Sequence, residues 1–392
     1  MKRSLTPLAV AALGLAAACS DAGTPTAAAP EGGAPLLSSA AGIADQYIVV
    51  LNAGANPRSV AAVAGVSPRY VYTATVNGFA ATLNAGQLNA LRHNPAVSYV
   101  EQDQPVQAST IQTGATWGLD RIDQQNLPLS TTFSYTSTGA GVHAYIVDTG
   151  IRLTHAQFAG RVGAGYDAVT AGGSANDCNG HGTHVAGTVG GTTHGVAKAV
   201  TLHPVRVLDC AGSGTTAGVI AGVDFVGNSH VKPAVANLSL GGGASTTLDN
   251  AVAAAIGKGV TFVVAAGNGN TGGKAQPACN YSPARVPAAI TVSATGSTDA
   301  KASYANYGTC VDIFAPGNSI TSAWYTSDVA TNSISGTSMA SPHVAGVAAL
   351  YLQGNAAASP ATVTSALVNG ATLNKVTNAG SGSPNRLLFT AY

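Results

Sequence analysis

From Trp117 onward, short apolar runs alternate with longer stretches in which apolar residues recur every three or four positions. The short runs Val142–Val147, Leu202–Leu208, Val235–Leu240, Thr261–Ala265, Ala289–Ser293 and Val311–Phe314 predict strands, most of them buried on both faces. The longer patterns His181–Val189, Thr216–Val226 and Leu248–Lys258 predict helices, and a further helix-like run, Val344 to Leu352, follows a loop of small residues. Strands and helices in alternation predict the α/β class, with a mostly parallel sheet and helices on both faces. No internal repeat interrupts this reading.

The front of the chain has a different rhythm. Tyr47–Leu51 alternates like a strand, Ser59–Ala64 like a short helix, and Val71–Thr75 and Gly78–Leu83 like two more strands. Ala85–His93 is helical in pattern and Val97–Glu101 closes with a strand. That β-α-β-β-α-β order predicts a small ferredoxin-like α+β domain. The expected layout is therefore an export signal over 1–19, a linker over 20–42, the small domain over 43–108 and the main domain over 109–392.

Composition sharpens two points. An apolar fraction of 46% supports a large core, while a charged fraction of 8% and a net charge of +1 give no reason to expect a nucleic-acid partner. Lys2 and Arg3 followed by an apolar stretch to Ala18 predict secretion. No later run is long enough for a membrane span. Ala16-Ala17-Ala18 suits ordinary signal cleavage, and Cys19 is also the place where a lipid-anchored precursor would carry its lipid. The other four cysteines, Cys178, Cys210, Cys279 and Cys310, allow three pairings, among which sequence alone does not choose.

Three stretches carry candidate chemistry. Ser338, in Gly336-Thr337-Ser338-Met339-Ala340, opens a helix, where free backbone N–H groups favour developing negative charge. A serine hydroxyl needs a base before it attacks anything. Asp148 ends an apolar strand in Val147-Asp148-Thr149-Gly150, and His181 begins a helix in Asn179-Gly180-His181-Gly182-Thr183-His184. Each alone has a plain structural explanation. Together, in the order Asp, His, Ser, they resemble the three motifs of the subtilisin-like serine proteases. Ser239-Leu240-Gly241-Gly242-Gly243 and Asn280-Tyr281-Ser282-Pro283-Ala284-Arg285 resemble the proteinase K branch, and the cysteine placement its aqualysin-like secreted members.

The resemblance implies roles. Ser338 would attack a peptide carbonyl, His181 would carry the proton and Asp148 would orient the imidazole. The side chain of Asn268, at a polar turn after Ala265-Ala266-Gly267, would serve with the Ser338 N–H as oxyanion donor. Gly212-Ser213-Gly214 and Ser239-Leu240-Gly241-Gly242 would form two rims that hold a peptide by strand addition. In the family, the rim Ser239-Leu240-Gly241-Gly242-Gly243, with Ala265, Ala266 and Gly267, lines the pocket before the cut bond. No acid stands in either segment, so cleavage after apolar and aromatic residues is expected. The disulfides would be Cys178–Cys210 and Cys279–Cys310. Calcium would sit at Asp312 with the carbonyls of Pro287 and Ala289, and a second ion at Asp120, Asp123 and Gln124, although Ser130 stands where some relatives carry another acid. The small front domain resembles the inhibitory propeptide, cut near Ala108–Thr110, with Val106–Ala108 left in the cleft.

The whole predicts a secreted, monomeric serine endopeptidase for protein and peptide substrates, made as an autoprocessed precursor. A catalytically dead binding protein on the same scaffold, or an esterase, are the competing classes. His184 is expected to pack or to bond backbone, His343 to point away from Ser338 on its helix, and His155 and His203 have no motif around them.

Overall fold

In the computed structural model, residues 33–38, 42–104 and 109–392 are described. The expected signal, Cys19 and the product segment Val106–Ala108 lie outside them. The chain divides into two compact units, Met1–Gln107 and Ala108–Tyr392.

The first unit contains the predicted strands Gln46–Leu51, Tyr70–Tyr72, Gly78–Thr82 and Val97–Gln102 and the helices Pro57–Val63 and Ala85–Arg92. Val97–Gln102 and Gly78–Thr82 flank Gln46–Leu51 on either side and run antiparallel to it, as in ferredoxin-like sheets. Leu36–Leu37, inside the segment expected as a linker, adds a fifth strand, parallel to Val100–Glu101. Val49, Phe79, Leu91 and Val100 are fully buried and form the centre of its core.

The second unit is built on a nine-stranded sheet whose central members run parallel. The departure from parallel is at one edge, where Thr372–Leu373 pairs antiparallel with Arg386–Leu387. Successive side chains of a strand point to opposite faces. Along His143–Asp148, Ala144 and Ile146 therefore join a core with the helices His181–Gly190 and Thr337–Gly354, while Tyr145 and Val147 join a second core with Thr216–Ser229 and Thr246–Gly257. Both faces are covered, which is why these strands read as continuous apolar runs.

The predicted strands and helices are present with ends shifted by a few residues. The pattern missed the short helix Trp117–Ile122, the hairpin of Ile320–Ala323 with Thr331–Ile334, and the helix Pro360–Gly370. Two disulfides join Cys178 to Cys210 and Cys279 to Cys310. Among the described residues, no helix is long and apolar enough to cross a membrane.

Candidate active site

Asp148 is the last residue of its strand, fully buried, and its Oδ1 accepts the N–H of Thr149 at 2.7 Å. His181 is the first residue of the next helix, which the chain enters through Gly180 at φ +112°. A Cβ at Gly180 would lie 2.6 Å from the rings of both Trp324 and Tyr325, so conformation and space both demand glycine there. His181 Nδ1 lies 2.8 and 3.0 Å from the two Asp148 oxygens. A carboxylate only accepts, so Nδ1 carries the hydrogen and Nε2 presents a lone pair. Burial lowers the pKa of His181, but the Asp148 charge and hydrogen bond, with the charge of Asp177, outweigh it and the net shift is upward. Its side chain is still 27% exposed, so substrate can reach the ring.

Asp177, which sequence reasoning passed over, fixes this pair. One of its oxygens accepts from Thr149 Oγ1, Asn179 N and Gly180 N at 2.8–3.0 Å. The other accepts from Thr183 N and its hydroxyl. Thr149 Oγ1 in turn accepts Gly182 N at 2.9 Å. The strand end that carries Asp148 and the turn that carries His181 are thus tied through one buried carboxylate. An acid four residues before the histidine was the available signal.

Ser338 is the second residue of the helix Thr337–Gly354. Pro342 lies inside that helix and has no N–H, so the Ser338 carbonyl lacks its usual donor four residues on. Ser239 Oγ fills the gap, donating to Ser338 O at 2.8 Å, and Ser338 Oγ donates back to Ser239 O at 3.0 Å. Ser341 extends the link, since its hydroxyl donates to Asn237 Oδ1 at 2.7 Å and Asn237 Nδ2 donates to Ser239 Oγ at 2.8 Å. The Ser338 hydroxyl thus bonds the Ser239 carbonyl, and no hydrogen bond joins it to His181. The two halves meet at the Ser239–Gly243 rim, which lines the same cleft as His181.

Asn268 stands beside the helix start. Its Oδ1 accepts both Thr337 N and Thr337 Oγ1, at 2.8 and 2.9 Å, which fixes the amide and leaves Nδ2 to face outward. Ser338 N has no acceptor. A Cβ built on Gly336 would lie 3.4 Å from Asn268 Nδ2 and 3.5 Å from Ser338 N, so the two free donors border one small volume. Thr337 and Asn306, which hold this corner, were not singled out in the sequence.

A cleft of about 560 Å³ runs past His181 and is lined by Gly212, Ser213 and Gly214 on one side and Ser239, Leu240, Gly241 and Gly242 on the other. Gly242–Gly243 pairs antiparallel with Tyr281–Ser282. A second pocket of about 260 Å³ opens beside Ser338 and Asn268, with Ala265, Ala266 and Gly267 in its wall and no charged side chain in its lining. The Cys178–Cys210 bridge ties the loop before His181 to the loop before Gly212.

The expected calcium positions differ in their donors. Asp312 Oδ2 accepts Thr291 N at 2.8 Å, across from the strand that follows Pro287 and Ala289, and burial pushes this carboxyl up to about 6. A partly buried acid that stays raised despite the Arg386 charge, and makes no ion pair, suits a hard cation. Asp123 is similar, also raised to about 6 by burial, with Oδ1 buried and unpartnered. The neighbouring Asp120 is engaged by Ser130 N, Ser130 Oγ and Thr131 N, and Gln124 Nε2 turns to Pro128 O at 2.9 Å, so a cation there would compete with existing bonds. Among the described residues, no group of three or more His, Cys, Asp or Glu side chains is gathered as for a metal.

The other histidines bond elsewhere. His184 Nε2 reaches Ile320 O at 2.8 Å, and burial lowers its pKa to about 3. His343 Nδ1 reaches Met339 O at 2.8 Å, with its pKa lowered by burial to about 4. His155 bonds Ala330 O, and His203 bonds Ala164 O and His143.

Comparison with known proteins agrees with this geometry. The sequence profile of the subtilase family matches residues 139–388, and that of the peptidase inhibitor I9 family matches residues 46–109. An extracellular serine proteinase of Thermus sp. (strain Rt41A) is 65% identical over 322 residues, covering 82% of this chain and 77% of the relative. Alkaline serine exoprotease A of Vibrio alginolyticus is 51% identical over 369 residues, covering 89% of this chain and 68% of the relative. The crystal structure of a cold-adapted subtilisin-like serine proteinase superposes with a TM-score of 0.68 at 54% identity, over 71% of this chain and 100% of that one. The chain belongs to the subtilase family of serine endopeptidases, with an inhibitor I9 domain ahead of the protease domain.

Proposed function

We propose that the protein, a secreted serine endopeptidase made as a precursor, cuts polypeptides after apolar and aromatic residues, with Ser338 as nucleophile. In this reading the Ser338 hydroxyl turns from the Ser239 carbonyl to His181 Nε2, which takes its proton as Oγ attacks the scissile carbonyl. Asp148 holds the imidazole in the tautomer that exposes Nε2 and stabilises its charged form. The new oxyanion takes hydrogen bonds from Asn268 Nδ2 and Ser338 N. His181 then returns the proton to the leaving amine, and water repeats the sequence on the acyl-enzyme.

Substrate backbone would pair with the rims Gly212–Gly214 and Ser239–Gly242, and the uncharged pocket at Ala265, Ala266 and Gly267 would take the side chain before the cut. Asp312 with the carbonyls of Pro287 and Ala289 would hold a calcium ion, which supplies rigidity and takes no part in the chemistry. Asp123, with Asp120 and Gln124, would hold a second ion only by displacing part of the Ser130–Thr131 network. The domain over residues 43–108 would be the protease's own inhibitor, removed by a cut near Ala108–Thr110.

The observation that carries the reading is the Asp148-held imidazole, with Nε2 free, on the same cleft whose Ser239 carbonyl holds the Ser338 hydroxyl. N-terminal sequencing and casein digestion test it together. Secreted wild type is expected to begin near Ala108–Thr110 and to digest casein, whereas Ser338→Ala should remain full-length precursor without activity. A Ser338→Ala protein that matures by itself and digests casein would refute the assignment.

A further inference from the structure

We propose that Asn306 is the positioning residue of the oxyanion corner, holding Asn268 where its amide meets the developing charge. The inference rests on the proposed role of Asn268. Asn268 follows the strand Thr261–Ala265 on a turn whose two glycines, Gly267 at φ +97° and Gly269 at φ +82°, flank it. Such a turn is open to many conformations unless its backbone groups are tied down.

Asn306 ties it on both sides. It is fully buried, and its Nδ2 donates to Ala266 O at 2.9 Å. Its Oδ1 accepts Gly269 N at 3.0 Å and Gln276 N at 2.8 Å. Its own N–H donates to Gly267 O at 3.0 Å. One side chain and one N–H therefore grip residues 266, 267 and 269 and leave Asn268 between them, free to point into the site. Those partners also fix the orientation of the Asn306 amide, because two N–H donors need the oxygen and one carbonyl needs the nitrogen. Asn306 is itself anchored to the sheet, since Ser293 Oγ donates to Asn306 O at 2.7 Å.

Contact and hydrogen bonding act together here. A Cβ at Gly267 would lie 2.6 Å from Asn306 Nδ2, so the turn packs directly on the amide. From the front, Thr337 Oγ1 donates to Asn268 Oδ1 while accepting Gly267 N at 3.1 Å. Thr337 thus sets the rotation of the Asn268 amide, and Asn306 sets where its backbone stands. Asn306 stands at the back of the pocket beside Ser338 and Asn268, with both polar ends of its side chain taken up by backbone groups, and touches no reacting atom in the proposed mechanism; it acts through Asn268. An aspartate would keep the shape and the acceptor while placing a second oxygen against the Ala266 carbonyl.

A double-mutant cycle on the full chain, with mature enzyme counted by an irreversible active-site reagent and kcat and KM read on a peptide anilide, tests this. Asn268→Ala alone should lower kcat by about 10²–10³-fold, as loss of an oxyanion donor does. Asn306→Ser should lower kcat by about 10-fold or more with KM changed less than about 3-fold, and in the Asn268→Ala background the same change should cost less than about 2-fold, because coupled residues are not additive. Asn306→Asp should follow Asn306→Ser, not wild type. If Asn306→Ser leaves kcat unchanged, or costs equally in both backgrounds, the positioning role is overturned while that of Asn268 stands. If Asn268→Ala leaves kcat unchanged, the oxyanion reading itself falls. Should Asn306→Ser fail to accumulate, Asn306→Asp and Asn306→Ala carry the same cycle, and thermal unfolding of each mature variant confirms that a fold is being compared.

Discussion

On the Asp148–His181 side of the cleft each polar group that sets the geometry has a fixed and buried partner, whereas on the Ser338 side one hydroxyl is held by a bond it must give up to react. Asp177 alone accepts five donors around the histidine turn, and His181 Nδ1 is already within bonding distance of both Asp148 oxygens. Ser338 instead donates to the Ser239 carbonyl. The difference locates the motion required by the proposed chemistry in a single side-chain rotation. Staggered side-chain wells exchange rapidly, and hydrogen bonds in a substrate-free site commonly tighten only once substrate is bound. In the proposed chemistry the base and the oxyanion donors are prepared in advance, and the nucleophile is not.

Substitutions on the prepared side should therefore cost most through what they do to His181. Asp148→Asn should lower kcat by about 10⁴-fold, the cost of losing the correct tautomer. It should also shift the acid limb of the kcat/KM profile to lower pH, because the charge that raises the His181 pKa is gone. The sign follows from the base needing its neutral form: wild-type activity rises with pH through the raised pKa, above the ordinary histidine value, and the variant's rise comes earlier. A pH titration of peptide hydrolysis checks both, and an unmoved limb would separate Asp148 from the imidazole.

Asp177→Asn should have a smaller effect, about 10-fold or more on kcat, with the acid limb moving in the same direction, since a second negative charge near His181 is removed. A loss of stability with an unshifted pH profile would mean that Asp177 only builds the loop. Smallest in its effect on catalysis is the calcium proposal at Asp312. With calcium at about 100 times its Kd the stabilisation is about 2.7 kcal/mol, read as a rise in Tm over enzyme in chelator. Asp312→Asn should remove that rise and leave initial rates at low temperature nearly unchanged.

Much of this was legible in the chain because periodicity and motif order are local properties. The buried parallel strands stand out since both faces are covered, and Asp148, His181 and Ser338 each end or begin an element in a short recognisable string. What escaped was the support. Asn306 acts through backbone groups distant in sequence, and Asp177 through nearby N–H groups and the hydroxyls of Thr149 and Thr183, a role that only its place four residues before His181 hints at. Asn306 reaches Ala266 across 40 positions. Pro342 could have been read, since a proline inside an apolar helical run frees the carbonyl four residues before it, and here that carbonyl belongs to Ser338. The hairpin Ile320–Ala323 with Thr331–Ile334 was hidden for another reason: its second strand, Thr-Asn-Ser-Ile, is polar and partly exposed, so it carries no apolar run. The Ser338 hydroxyl bonds the Ser239 carbonyl and not His181, a choice between two acceptors that no sequence pattern encodes.

The most direct measurement is a crystal structure of the mature enzyme reacted with a peptide boronic acid, which mimics the tetrahedral intermediate. The account predicts boron bonded to Ser338 Oγ, His181 Nε2 within about 3.2 Å of it, and one boronate oxygen about 2.7–3.1 Å from both Asn268 Nδ2 and Ser338 N. A Ser338 hydroxyl left unmodified on the Ser239 carbonyl, or a boronate oxygen turned away from Asn268, would contradict it.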